Sequence, residues 1–136
     1  MRKKVMAAVL TAAMVASVSA MPQMVAAADD EFKIGLITDV GGVNDGSFNQ
    51  SAWEGLEKAG EELGVEVNYL ESATDADYQP NMETFVDEDY DLIISVGYML
   101  ADATREAAEA NPDTKFAIID DSSIDLPNVT SLMFKA

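Results

Sequence analysis

The fold is decided by residues 33–56, which read KIGLITDVGGVNDGSFNQSAWEGL. This stretch begins with an apolar run that ends on Asp39, continues through a segment rich in Gly, Asn and Asp, and takes up a helical pattern from Phe48. An apolar run, a glycine-rich segment and an amphipathic pattern in this order predict a strand, a loop and a helix. The stretch therefore predicts the first strand–helix unit of an α/β fold.

The first helix is predicted over residues 48–63. Its apolar residues recur at steps of four, three and four, and acidic residues occupy the opposite side; the apolar positions are Ala52, Leu56, Ala59 and Leu63. This spacing is typical of a helix with one face against a core. Gly64 follows at once and predicts the end of the helix.

The alternation of strand and helix patterns continues along the chain. Further strands are predicted at 65–70, 91–96, 115–120 and 129–134, and further helices at 78–87 and 98–110. Strands that are continuous apolar runs, separated by helices, are typical of parallel sheets buried on both sides. We therefore predict a parallel sheet with helices on both faces.

The first 28 residues have the pattern of a secretory signal peptide. Arg2, Lys3 and Lys4 form a basic start, residues 5–20 are apolar, and an Ala-Ala-Ala triplet at 26–28 precedes acidic residues. The apolar run is shorter than the ~20 residues that a membrane-spanning helix needs. We therefore expect an exported protein with a signal peptide at 1–28 and one α/β lobe at 29–136.

The composition excludes several classes of function. The chain contains no cysteine and no histidine, which excludes disulfides, thiol nucleophiles, Cys/His zinc sites and a Ser-His-Asp triad within it. The formal net charge is −17, and such a surface repels phosphate backbones, so nucleic acid is not an expected partner. No metal and no cofactor are predicted.

Candidate binding residues follow three of the predicted strands. The first strand ends on Asp39, the third is followed by Gly97, and the fourth ends on Asp120. Because ligands of open α/β sheets bind beyond the carboxyl ends of the strands, these positions are expected to share one edge. The glycines at 41–42 allow the backbone to approach a ligand closely.

Each of these residues also has a purely structural interpretation. Asp45 or Ser47 is positioned to cap the first helix, and for Ser47 we favour capping over a role in binding. Phe48 is a candidate for the core, as aromatic residues at helix starts often are. Asp120 is a candidate for a solvated strand end. An enzyme is a further alternative, since Asp39 follows the first strand as the nucleophile of aspartyl-phosphate enzymes does.

Residues 39–55 carry a longer motif: Asp-x-Gly-Gly, a variable pair, Asp-x-Ser-Phe-Asn-Gln, and then Trp-Glu-Gly after a short gap. This motif resembles the opening of the basic membrane protein family, which includes purine nucleoside receptors of spirochaetes and related bacteria. The segments IISVGYMLADAT, KFAIIDDS and LPNVTSLMFK resemble the family's later strands, so the resemblance covers nearly all of residues 29–136.

The resemblance implies a fold and a function. Family members are extracytoplasmic binding proteins of ATP-driven importers, with two lobes of the type I periplasmic-binding-protein fold that close on a nucleoside. By this resemblance Phe48 stacks on the base and Asp39 bonds base nitrogens. Asp120, Asn49 and the Gly97 backbone complete the contribution of this lobe, and the expected function is binding rather than catalysis.

The resemblance also sets expectations about partners and location. The expected partners are a nucleoside, the permease of an ABC importer, and a second lobe that is missing after residue 136. Many relatives carry a lipid on a cysteine after the signal peptide, which this chain lacks, so we expect a protein in the cell envelope at the outer face of the plasma membrane. Binders of sugars or other small solutes share this fold and are the remaining alternative.

Overall fold

The computed structural model describes residues 31–135, which form five strands and three α-helices. The strands are β1 (Lys33–Ile37), β2 (Glu66–Leu70), β3 (Leu92–Val96), β4 (Lys115–Ile119) and β5 (Val129–Leu132). The helices are α1 (Phe48–Leu63), α2 (Tyr78–Asp87) and α3 (Ala101–Ala110), with short 3-10 turns at Asp75–Asp77 and Tyr98–Leu100. The predicted alternation of strands and helices is confirmed.

The element bounds differ from the predicted ones mainly at strand ends. The last strand was expected to reach residue 134 but ends at Leu132. Its neighbour β4 ends at Ile119, and the Asp120 N–H donates the final hydrogen bond, to the Leu132 carbonyl at 2.9 Å. The third predicted helix begins as a 3-10 turn, which follows the positive φ of 97° at Gly97.

The five strands form a single parallel sheet in the order β2-β1-β3-β4-β5. The chain moves from β1 outward to β2, crosses back beyond β1 to β3, and then continues in that direction to β5. The connections that leave β1 and β3 therefore run to opposite sides. This makes the gap between the carboxyl ends of β1 and β3 the point at which a crevice opens in such sheets.

Helices cover both faces of the sheet, as predicted. Helices α2 and α3 bury one face, in a cluster that includes Ile37, Met82, Phe85, Ile93 and Phe116. Helix α1 covers part of the other face, against Ile34, Leu36 and Val96. Successive strand residues point to opposite faces, so apolar residues at consecutive positions of β1 supply both clusters.

The signal peptide predicted at residues 1–28 lies outside the described residues. Between residues 31 and 135, none of the helices combines the length and the apolar character that spanning a membrane requires.

Candidate functional site

The predicted site residues Asp39, Gly97 and Asp120 follow β1, β3 and β4 at the carboxyl edge of the sheet. The order of these strands places Gly97 between the two acids. Adjacent strands are about 4.8 Å apart, so the strands that lead to Asp39 and Asp120 are separated by about 10 Å. The three positions thus share one edge, and Asp39 and Gly97 lie where the crevice opens beyond the carboxyl ends of β1 and β3.

Asp39 is half-buried, and its two carboxylate oxygens have different surroundings. Oδ1 accepts hydrogen bonds from the Gly41 N–H at 2.8 Å and from Asn49 Nδ2 at 2.7 Å. Oδ2 faces Gly97, on which an added Cβ would lie 3.8 Å from it. Among residues 31–135 no donor is bonded to Oδ2, so the side chain is oriented through one oxygen and presents the other.

Asn49 lies beneath Asp39. Its side chain is 1% exposed, and its amide nitrogen donates to Asp39. Its amide oxygen is buried and has no hydrogen-bond partner within the described part of the chain. A buried polar atom without a partner is costly, so this oxygen is an acceptor that the described residues leave unused. In the described conformation Asn49 contacts Asp39 and is shielded from solvent.

The loop between β1 and α1 turns back at Gly46, where φ is 66°. The turn directs the Asp45 carboxylate at the first turn of α1, where it accepts from the N–H groups of Ser47 at 2.8 Å, Asn49 at 3.1 Å and Gln50 at 3.1 Å. The Ser47 side chain makes no capping bond. The capping role expected for Ser47 is therefore wrong, and the other candidate, Asp45, is the cap because the turn places it over the N–H groups that a cap must satisfy.

The pKa of Asp45 reflects this capping role. Partial burial acts to raise the pKa, but the hydrogen bonds from the backbone N–H groups of Gln50, Ser47 and Asn49, together with the Asn49 side chain, outweigh it. The pKa of the Asp45 carboxyl therefore lies below its ordinary value of 3.8. The loop is held in place by an ionised carboxylate.

Phe48 is the first residue of α1 and is 50% exposed, so it belongs to neither core cluster. Its ring lies 5.6 Å from that of Phe134, at an interplanar angle of 57°. Both rings line an open groove of about 410 Å³, whose lining residues are Ser47, Phe48, Ser51, Ala52, Ile119 and Phe134. An aromatic face is thus available at the same edge as Asp39.

The backbone at Gly97 and Asp120 adopts positive φ values. Gly97 has φ of 97°, a conformation that side chains rarely adopt, and the absence of a Cβ leaves space beside Asp39. Asp120 has φ of 63°, which is uncommon for a residue other than glycine but is tolerated by Asp. At both positions the backbone therefore turns away from the strand direction at this edge.

Two residues at the same edge were not predicted to belong to the site. Glu71 accepts a hydrogen bond from the Val43 N–H at 2.9 Å. Tyr78, which is 4% exposed, has a raised pKa because of its burial and, secondarily, because of the nearby charges of Asp39 and Asp75. The sequence marked Tyr78 only as the start of a helix, although the helix that follows β2 must begin at the carboxyl edge.

Comparison with known proteins gives a family match over almost the whole described region. The model of the family described as "ABC transporter substrate-binding protein PnrA-like" matches residues 32–136. Among curated relatives, the "CD4+ T-cell-stimulating antigen" of Listeria monocytogenes is 49% identical over 110 residues, which are 77% of this chain and 31% of the relative. The "ABC transporter nucleoside-binding protein BmpA" of Lactococcus lactis is 42% identical over 108 residues, which are 76% of this chain and 31% of the relative.

A solved structure agrees with the fold. The ABC transporter solute-binding protein of Aeropyrum pernix superposes with a TM-score of 0.68 at 32% identity, over 74% of this chain and 28% of that one. The chain therefore spans about a third of the length of the curated relatives it matches.

Proposed function

The chain belongs to the PnrA-like family of ABC transporter substrate-binding proteins, and we propose from this membership that it is the first lobe of an extracytoplasmic nucleoside receptor. The observation that carries the proposal is that the carboxyl edge of the sheet holds both a half-exposed aromatic ring and an oriented carboxylate. Phe48 supplies the ring, and Asp39 supplies an oxygen that accepts no hydrogen bond from residues 31–135.

A nucleobase fits this pairing because it presents a flat face and hydrogen-bond donors at its rim. The Phe48 ring stacks on the face, a contact worth about 1–3 kcal/mol per base in nucleic-acid complexes. Asp39 Oδ2 accepts from a ring or exocyclic N–H, and a charged acceptor makes this bond stronger than a neutral one. We assign these two contacts to Phe48 and Asp39.

The other proposed site residues have supporting roles. Gly97 lets the ligand approach the end of β3, since no side chain occupies the space beside Asp39. Asp120 offers a second acceptor on the far side of Gly97. Asn49 contributes through Asp39, because its own side chain is buried and its amide holds Oδ1.

A second lobe completes the proposed site. This lobe would contact one face of the base and few of its polar groups, whereas small-molecule sites bury ~70–90% of the surface of their ligand. The curated relatives are about three times as long as the region they share with this chain. We propose that the second lobe covers the other face of the base, and that the closed protein docks on the permease of an ABC importer in the cell envelope.

Two other functions make different predictions. A sugar binder on this fold would use the Phe48 ring against a pyranose and would not require an N–H donor at Asp39. An aspartyl-phosphate enzyme would use Asp39 as a nucleophile. The family of substrate-binding proteins to which the chain belongs favours binding over the enzyme.

Calorimetry on the two-lobed protein tests the proposal. Adenosine, guanosine, inosine and cytidine are titrated beside ribose and glucose, and we expect micromolar or tighter binding of at least one nucleoside and none of the sugars. Incubation with acetyl phosphate and Mg²⁺ serves as the enzyme arm, in which no phosphate should be incorporated. Sugar binding without nucleoside binding, or phosphate uptake that disappears in Asp39→Asn, would overturn the proposal.

A further inference from the structure

The loop between β1 and α1 is bonded to a residue far along the chain. Glu71, the first residue after β2, accepts a hydrogen bond from the Val43 N–H at 2.9 Å across 28 positions of sequence. Val43 is 6% exposed, so its N–H has little access to water and depends on an acceptor from the protein. The position of the middle of the loop is therefore fixed by a side chain that does not belong to the loop.

Gly42 shows how closely the carboxylate approaches. Its φ is 69°, and a Cβ built on it would lie 2.8 Å from Glu71 Oε1. The position therefore needs glycine both for its backbone conformation and for the space that the carboxylate occupies. Glu71 therefore meets two successive residues of the loop: its carboxylate packs against Gly42 and accepts a hydrogen bond from Val43.

Glu71 is itself fixed to a rigid element. Asn81 in α2 donates through its amide nitrogen to the Glu71 carbonyl and to the Ser72 hydroxyl, each at 3.1 Å. Ser72 is 2% exposed. The backbone at Glu71 is thus anchored to a helix of the larger core, and the carboxylate extends from that anchor to the loop.

The anchored loop is the one that carries the proposed ligand contacts. Its two ends are held by their own side chains, through Asp39 to Gly41 and through Asp45 to the start of α1. We propose that Glu71 is a positioning residue for ligand binding, which holds the loop that joins Asp39 to Phe48 in its described conformation. This inference rests on the proposed nucleoside-binding function.

The test uses three variants of the two-lobed protein: Glu71→Ala, Glu71→Gln, and Glu83→Ala as a control that removes an exposed acid from α2. Two quantities are measured, the nucleoside Kd by calorimetry and the hydrogen exchange of the Val43 amide by NMR without ligand. Glu71→Ala should weaken binding about three- to tenfold and speed exchange at Val43 at least about tenfold. Glu71→Gln should keep most of the affinity and most of the protection of the Val43 amide, because its own amide oxygen still accepts from Val43. Glu83→Ala should match the parent in both quantities.

The outcomes separate this inference from the function on which it rests. A parent protein that binds no nucleoside would overturn the proposed function, whatever the exchange data show. A parent that binds, beside a Glu71→Ala variant with the same Kd or the same exchange at Val43, would overturn the positioning role alone. Equal losses in Glu71→Ala and Glu71→Gln would also overturn it, since a retained acceptor should rescue binding.

Discussion

The two ends of the strands are both bordered by acidic side chains, but they use them differently. At the amino end, Asp91 Oδ2 accepts from the backbone N–H of Lys33 at 2.8 Å, and the Lys33 ammonium donates to the Glu88 carbonyl while lying 4.6 Å from the Tyr90 ring. At the carboxyl end, Asp39 is oriented by two donors through one oxygen and presents the other. Within residues 31–135, the polar groups at the amino end bond one another, whereas Asp39 is held in place and keeps one oxygen available, as the proposed ligand contact requires.

The largest expected effect is at the oriented carboxylate. Asp39→Asn should reduce nucleoside affinity about a hundredfold or more. The amide oxygen of the variant would still accept from Gly41 and Asn49, so its NH₂ group would take the place of Oδ2. A donor would then face the N–H donor of the ligand, and no hydrogen bond could form. Calorimetry on the two-lobed protein measures the loss. An Asp39→Asn variant with the affinity of the parent would place this carboxylate outside the site.

The next effect is at the exposed ring, and the amino end offers a matched control. Phe48 and Phe32 are 50% and 48% exposed at opposite ends of the sheet. Phe48→Ala should weaken nucleoside binding about ten- to a hundredfold through the lost stacking, with little change in melting temperature. Phe48→Tyr should be mild, and Phe32→Ala should leave binding unchanged.

If Phe48→Ala melts far below the parent, or if Phe32→Ala reduces affinity equally, the contrast between the two ends is wrong. The first outcome would make Phe48 a core residue. The second would indicate that any exposed aromatic ring has the same effect.

A smaller effect is expected at the amino end. Asp91→Ala removes the acceptor of the Lys33 N–H and should lower the free energy of unfolding by about 0.5–1.5 kcal/mol. It should leave the nucleoside Kd unchanged, since the residue lies at the far end of the sheet. Urea unfolding and calorimetry on the same sample measure both quantities, and a weaker Kd at unchanged stability would contradict the assignment.

The smallest effect concerns the cap of α1. Because the folded-state pKa of Asp45 is below 3.8, the charged side chain stabilises the fold above that pH, and this stabilisation is lost as the pH falls through the folded-state pKa. The stability difference between the parent and Asp45→Asn should therefore shrink as the pH is lowered from 5 toward 2. Urea unfolding at several pH values measures it, and a difference that grows on acidification would contradict the lowered pKa.

The sequence predicted the local features well because local forces decide them. The bounds of α1 follow from its apolar spacing and from Gly64, which adopts φ of 69° at the end of the helix. The order of the strands does not follow from periodicity, so the gap between β1 and β3 became visible only in the structure. Whether Asp45 or Ser47 caps α1 depends on the turn at Gly46, which brings the Asp45 side chain to the N–H groups at the start of the helix.

The role of Glu71 could not be predicted for a different reason. Its partner Val43 is 28 positions away, and nothing in the composition of either segment indicates the pairing. The candidate site residues Asp39, Phe48 and Gly97 were predicted from strand ends and from a long motif, both of which can be read in the sequence. Their support comes from long-range contacts, which depend on the whole fold.

The position of β1 in the sheet has a consequence for how the chain folds during synthesis. β1 is the first strand to be made, yet its neighbours β2 and β3 both come later in the chain. Parallel neighbours cannot be joined by a tight turn, so each pairing of β1 must first close a loop that contains a whole helix. The apolar strand therefore stays unpaired until β2 emerges and is not enclosed until β3 follows. Because non-local pairing slows folding, we expect such a chain to become compact slowly, which is compatible with the export predicted from residues 1–28.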